Sequence, residues 1–154
     1  MLMKKQEFLN KLDDIISKVK TGVLTTVDAE GKPHTRWMSP IYLSKRPGLI
    51  FTVTSKSFTK KHQLEENPHT EWMIQTRDLR EIMNVSGITN IIDNASLRSE
   101  LLEKISDRLD VFWKLCHEEE DLVVLETLID EISYYKPMEC VKLHTVLNEN
   151  PEKV

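Results

Sequence analysis

The stretch Leu49–Pro68, LIFTVTSKSFTKKHQLEENP, decides how this chain is read. Leu49-Ile50-Phe51-Thr52-Val53-Thr54 is rich in β-branched and aromatic residues and reads as a strand. Ser55-Lys56-Ser57-Phe58-Thr59-Lys60-Lys61 follows as a turn of hydroxyls and lysines, and a short polar helix runs on until Asn67-Pro68 stops it. A strand that ends in hydroxyls, backbone N–H groups and ammonium groups is suited to hold a phosphate. An ordinary strand, turn and solvated helix start would read the same way, so the rest of the chain must decide.

Working outward on the N-terminal side, Lys45-Arg46-Pro47-Gly48 turns the chain into this strand. Before it lies a hairpin signature. Val23–Val27 is β-branched and bounded by Gly22, Asp28–Lys32 is a turn with Gly31 available for a positive φ, and the return strand runs from about His34 to Tyr42. Pro40 suits an edge or a bulge there. These three strands, joined by short turns, predict an antiparallel meander. Residues 4–20 carry Phe8, Leu12, Ile15, Ile16 and Val19 on one helical face, the pattern of an amphipathic helix laid against a sheet.

On the C-terminal side, residues 71–76 and 81–91 read as two further strands, with Gly87 as the expected bulge or corner of the longer one. Residues 94–117 turn helical on a stripe of Leu97, Leu101, Ile105, Leu109, Phe112 and Cys116. Asn94 or Ser96 is placed as N-cap, and Asp107 as a break. Glu118–Asp121 reads as a solvated loop and Leu122–Tyr135 as a last long strand, although Leu125, Leu128, Ile129 and Ile132 would also suit a helix. The tail adds a short strand near Val141–Leu143 and frays from Asn148. The expected architecture is mainly β, a small antiparallel barrel with helices at its edges. Residues 1–137 form one domain with the helical insertion 94–117, and residues 138–154 are an extension.

Composition agrees with a soluble single domain: 154 residues, 40% hydrophobic and 30% charged. A formal net charge of -4 argues against a nucleic-acid partner. No apolar run reaches the roughly 20 residues of a membrane helix. Cys116 and Cys140 lack metal-ligand spacing and read as reduced thiols of a cytoplasmic protein. The five histidines, at 34, 62, 69, 117 and 144, are not at chelating spacing, so no metal site is expected. There is no Walker loop, no G-x-G-x-x-G and no glycine elbow around Ser39 or Ser57. What remains is Arg36 on the second strand with Ser57, Lys60 and Lys61 after the third. Arginine offers phosphate a planar fork and lysine a movable point charge, with Ser57 or Thr59 adding a hydroxyl. Trp37, Met38, Ser39 and Thr52–Thr54 would present backbone groups and apolar surface nearby, where a flat conjugated ring could lie. Trp72 reads as core or interface packing.

GVLTTVDAEGKPHTRWMSP (Gly22–Pro40), FTVTSKSFTKKHQLEENP (Phe51–Pro68) and NVSGITNIID (Asn84–Asp93), taken in this order, resemble the pyridoxamine 5′-phosphate oxidase-like, FMN-binding split-barrel family. Within it the resemblance is to the branch of general stress protein 26, and it spans roughly residues 5–136. It implies a six-stranded split barrel, a homodimer, and FMN in grooves between the subunits. It implies that Arg36 and Lys60, the lysine eight residues before Pro68, hold the FMN phosphate, with Ser57, Thr59 and Lys61 as helpers. Trp37, Met38, Ser39, Thr52, Val53 and Thr54 would flank the ribityl chain and isoalloxazine, and Trp113 would reach the partner's flavin. The activity implied is that of a flavin-dependent oxidoreductase of unassigned substrate, with no catalytic side chain named. The alternatives are a non-enzymatic flavin-binding stress protein, or the same fold holding haem or F420.

The sequence departs from the family pattern in three places. Ile82 stands where pyridoxamine phosphate oxidases carry a glutamine, and the tail KLHTVLNENPEKV lacks their arginine-rich substrate segment. Both departures count against pyridoxamine phosphate as substrate. Phe58 replaces the serine common two residues before the lysine, which leaves Ser57 or Thr59 as a substitute.

Overall fold

A computed structural model describes residues 2–57, 60–106 and 121–148, with Lys60 and Lys61 given by their backbone alone. Thr59, Trp113, and the part of the helical stripe that holds Asp107, Leu109, Phe112 and Cys116 lie outside these residues. The chain begins with helix α1 (Lys5–Val19). It is closed by Lys20 in the left-handed conformation (φ 62), whose N–H returns to the carbonyl of Ile16. Seven antiparallel strands follow in one sheet. They are β1 (Gly22–Val27), β2 (Pro33–Met38), β3 (Leu49–Ser55), β4 (His69–Gln75), β5 (Ile82–Ile92), β6 (Leu122–Lys136) and β7 (Val141–Val146). Among the described residues two α-helices interrupt them, α2 (Lys60–Glu66) and α3 (Ala95–Lys104), the second capped by Asn94, whose side chain accepts from the N–H of Leu97.

The strand order is β2-β1-β4-β5-β6-β3, with β7 paired to β6. β1 and β2 form the expected hairpin, in which Asp28 accepts from Gly31 and donates to Lys32 across the turn. The meander stops there. β3 pairs along its whole length with residues 122–128 of β6, and β4 takes the free side of β1. The expected third meander strand touches the second only through an isolated bridge, Ile41 to Phe51. That bridge brings the chain leaving β2 back to β3, so the sheet curls into a split barrel. β2 itself ends at Met38, before Pro40. β6 is one strand of 15 residues, which settles the helix-or-strand ambiguity of its sequence. Its first half serves β3, its second half β7, and nearly all of it serves β5.

The β5–β6 register slips by one residue at Ser86/Gly87. The surplus residue is Asp130 on β6, so the bulge belongs to the partner of the strand that carries the glycine. Asp130 is not idle: its carbonyl accepts from Leu147, just past β7.

Two apolar clusters fill the fold. In the first, Phe8, Leu12, Ile15 and Ile16 of α1 plug the barrel against Leu24, Trp72, Ile74, Met83 and Ile132. In the second, Phe51 and Val53 pack outward against Leu97, Leu101 and Ile105 on the α3 side. Trp72 is fully buried, as its sequence context suggested, and its indole donates to the Thr127 hydroxyl at 3.0 Å. Thr127, Thr89 and Thr70 continue the chain of hydroxyls at 2.7 and 2.6 Å, so these buried hydroxyls satisfy one another.

Candidate cofactor-binding site

Leu24 of β1, on the core face, lies directly opposite Arg36 of β2, and Thr26 opposite His34. Side chains alternate along a strand, so Arg36 shares the inward face with Leu24, Thr26 and Met38, while Trp37 points outward. An arginine on the inner face is costly unless something at the barrel end receives it. Here α2 does. Its Gln63 reaches over the β1–β2 end, and its Leu64 enters the core.

Arg36 Nη2 donates to Thr26 Oγ1 at 2.8 Å and to Gln63 Oε1 at 3.2 Å. Thr26 Oγ1 in turn donates to Gln63 Oε1 at 2.5 Å. Arg36 Nη1 is buried and has no acceptor among the described residues. Burial pushes the guanidinium below its ordinary pKa, the signature of a cation held without a counter-charge. One amino group is thus fixed by neutral partners and the other is unmet. An unmet buried donor costs about 1–3 kcal/mol, more for a charged group, and an anionic oxygen would supply what it lacks. The chemistry of this donor fits a phosphate. His34, two residues earlier on the same face, is turned to Asp28, with Nε2 2.8 Å from Oδ2. The hydrogen bond from His34, with the N–H groups of Lys32 and Glu30, holds the Asp28 carboxyl below its usual range.

The other sequence-named residues that the structure describes fall in four places. Lys60 and Lys61 open α2, so Lys60 lies one turn before Gln63 and its helix is the one packed at Arg36. This proximity comes through the helix and not through adjacent paired strands, since β2 ends at Met38 and, among the described residues, the chain beyond it meets β3 through the isolated bridge of Ile41 to Phe51. Ser57 is exposed, with its hydroxyl 2.9 Å from that of Ser55. Met38, Ser39, Thr52, Val53 and Thr54 are buried. The Thr52 hydroxyl donates to the Ser39 carbonyl at 2.8 Å, and the Ser39 hydroxyl to the Lys20 carbonyl at 3.1 Å. Val53 belongs to the outer cluster beneath α3. Trp37 is 61% exposed on the outer face.

Two residues at the centre of the cluster escaped the sequence reading, Thr26 and Gln63. A signal for each existed. Thr26 continues the inward alternation of Leu24 with a polar residue, and Gln63 stands one helical turn beyond Lys60.

The family model described as pyridoxamine 5′-phosphate oxidase matches residues 8–136. No curated protein matches the chain. Among solved structures the fold recurs at low identity. A Clostridium acetobutylicum protein related to general stress protein 26 of B. subtilis superposes with a TM-score of 0.73 at 14% identity, covering 94% of this chain and 97% of that one. A pyridoxamine 5′-phosphate oxidase-related, FMN-binding protein from Nostoc punctiforme gives 0.68 at 13% identity, covering 96% and 98%. An F420 reductase gives 0.64 at 17% identity, covering 79% and 94%.

Proposed function

This chain belongs to the pyridoxamine 5′-phosphate oxidase family, and we propose that it is an FMN-binding flavoprotein acting as an oxidoreductase on a substrate other than pyridoxamine phosphate. The observation that carries the cofactor is the unmet, buried Arg36 Nη1 beside the helix that Lys60 opens. Arg36 and Lys60 hold the FMN phosphate, with Ser57, Thr59 and Lys61 at the same turn. Trp37, Met38, Ser39 and Thr52–Thr54 line the way toward the ring, and Trp113 contacts the flavin of a second subunit. Once bound, FMN supplies the redox chemistry, and the protein supplies binding, orientation and electrostatics. Ile82 and the arginine-free tail are what set the substrate apart.

The protein is a homodimer in this reading. Support comes from the outer sheet face, where Trp37, Val23 and Met73 lie in one row across β2, β1 and β4. Trp37 and Met73 are 61% and 37% exposed there, an apolar patch suited to a second copy. A reduced, cytoplasmic setting suits Cys140, which is a free thiol.

The absorption spectrum of the purified protein, with chromatography of the released cofactor, tests the reading. FMN is the expected product. Arg36→Ala and Lys60→Ala should each weaken FMN by about tenfold or more, the worth of a charge-assisted hydrogen bond, and leave riboflavin nearly unchanged. Equal losses for both ligands would sink the phosphate assignment. The likeness to an F420 reductase keeps one second reading in play, in which the same barrel carries F420, and the chromatography separates it from FMN.

A further inference from the structure

Resting on the phosphate reading of Arg36, we propose that Gln63, together with Thr26, is the positioning pair that makes the site selective for a phosphorylated flavin. Three features of the cluster lead there. First, the acceptors that the structure gives Arg36 are an amide oxygen and a hydroxyl, both uncharged. They orient the guanidinium and leave its charge for something else. A carboxylate in the same place would orient it equally well and cancel it. Second, the direction of the bonds is fixed. Thr26 Oγ1 uses its hydrogen on Gln63, so it meets Arg36 as an acceptor. Both contacts fall on Nη2 and leave Nη1, the unmet donor, as the corner of the fork that faces an incoming anion. Third, Gln63 lies three residues after Lys60 on α2. The bond that turns Arg36 therefore also ties the strand bearing it to the helix whose first residue is the second cation. Gln63 sets the aim of one phosphate ligand from the helix that carries the other.

A positioning residue acts through its partner, and the test is built on that. The Kd values for FMN and for riboflavin are measured by flavin-fluorescence quenching for Gln63→Met, Thr26→Val, Gln63→Glu, Arg36→Ala and the double variant Gln63→Met/Arg36→Ala. Thermal melting of the flavin-free proteins is followed in parallel. Gln63→Met should weaken FMN by about tenfold and riboflavin by less than about twofold, as expected where one oriented hydrogen bond is lost. In the Arg36→Ala background the same change should do nothing further to FMN. Gln63→Glu should be worse for FMN than Gln63→Met, because its carboxylate pairs with the arginine and repels the phosphate. Thr26→Val keeps the shape of the side chain and serves as the second variant if Gln63→Met fails to fold; it too should lower FMN alone.

Losses of equal size for both flavins, or a full Gln63→Met effect on top of Arg36→Ala, would overturn the proposal and leave Gln63 as a packing contact. The phosphate reading fails differently. Arg36→Ala by itself would then treat FMN and riboflavin alike, and the positioning role would fall with it.

Discussion

Tyr134 shows how a single side chain is secured at the barrel end opposite Arg36. It is 1% exposed, and its hydroxyl donates to Glu81, which Lys11 of α1 also holds at 2.9 Å. Burial, and then the bond to Glu81, push the Tyr134 hydroxyl well above its usual pKa, so it stays a donor throughout the physiological range. Burial on its own would raise the Glu81 carboxyl, but the hydrogen bonds from Lys11 and Tyr134 outweigh it and leave the group below its ordinary value of 4.5. The sign follows. A carboxyl whose pKa is lowered by folding contributes stability that is present above about pH 4.5 and lost as pH falls through its folded value. Glu81→Gln should therefore be less stable than the wild type near neutrality, and the difference should shrink as the medium is acidified below pH 4.5. Urea denaturation at several pH values checks this, and a constant difference would assign the loss to geometry instead. None of this trio stood out in the sequence. Lys11, Glu81 and Tyr134 are remote along the chain, and nothing local in any of them announces the others. The same holds at the candidate site. Arg36 could be named from its strand, whereas Thr26 and Gln63 could be joined to it only once the fold had brought positions 10 and 27 residues away into contact.

At the scale of elements, strands were easier to read than their pairing. β-Branched and aromatic residues mark β3 as a strand, but its partner is residues 122–128, reached only after β4, β5 and α3. Local sequence carries no term for so distant a neighbour, and a short turn invites the meander that is not there. The bulge was half legible for a related reason. Gly87 marked the place, yet the inserted residue is Asp130 across the ladder. The glycine is needed because a Cβ on it would run into the backbone carbonyl of Leu128, which has no rotamer with which to yield. Gly87→Ala should cost about 2 kcal/mol or more, the range of substitutions that force strain into packed backbone. In thermal melting the variant should lose stability far beyond that of Asn90→Ala, an exposed position on the same strand. A Gly87→Ala protein that melts with the wild type would show that the ladder opens there without cost.

The whole molecule divides its two faces between different tasks. Its interior is closed by α1 at one end and by α2 at the other, and buries its apolar and hydroxyl groups among themselves. Its outer face is left with the row Trp37, Val23 and Met73, which no helix of the described residues covers. A barrel that hides Trp72 completely and leaves Trp37 61% exposed has not run short of core; the second tryptophan is better explained by another surface. Arg36 and Trp37 are also consecutive, one facing in and the other out, so a phosphate held by the first would lie one residue from the face offered to a second copy. Cofactor and assembly would then be coupled through β2. Trp37→Arg puts a charge at the most exposed position of the row, its β2 end, and should turn the proposed homodimer into a monomer in sedimentation equilibrium. It should also weaken FMN even though Arg36, Gln63 and Lys60 are intact, because ring contacts from the partner and from Trp37 itself would be lost. A wild-type protein that sediments as a monomer, or a Trp37→Arg protein that remains dimeric with unaltered FMN affinity, would remove the outer row from the interface and leave the barrel to bind its flavin alone.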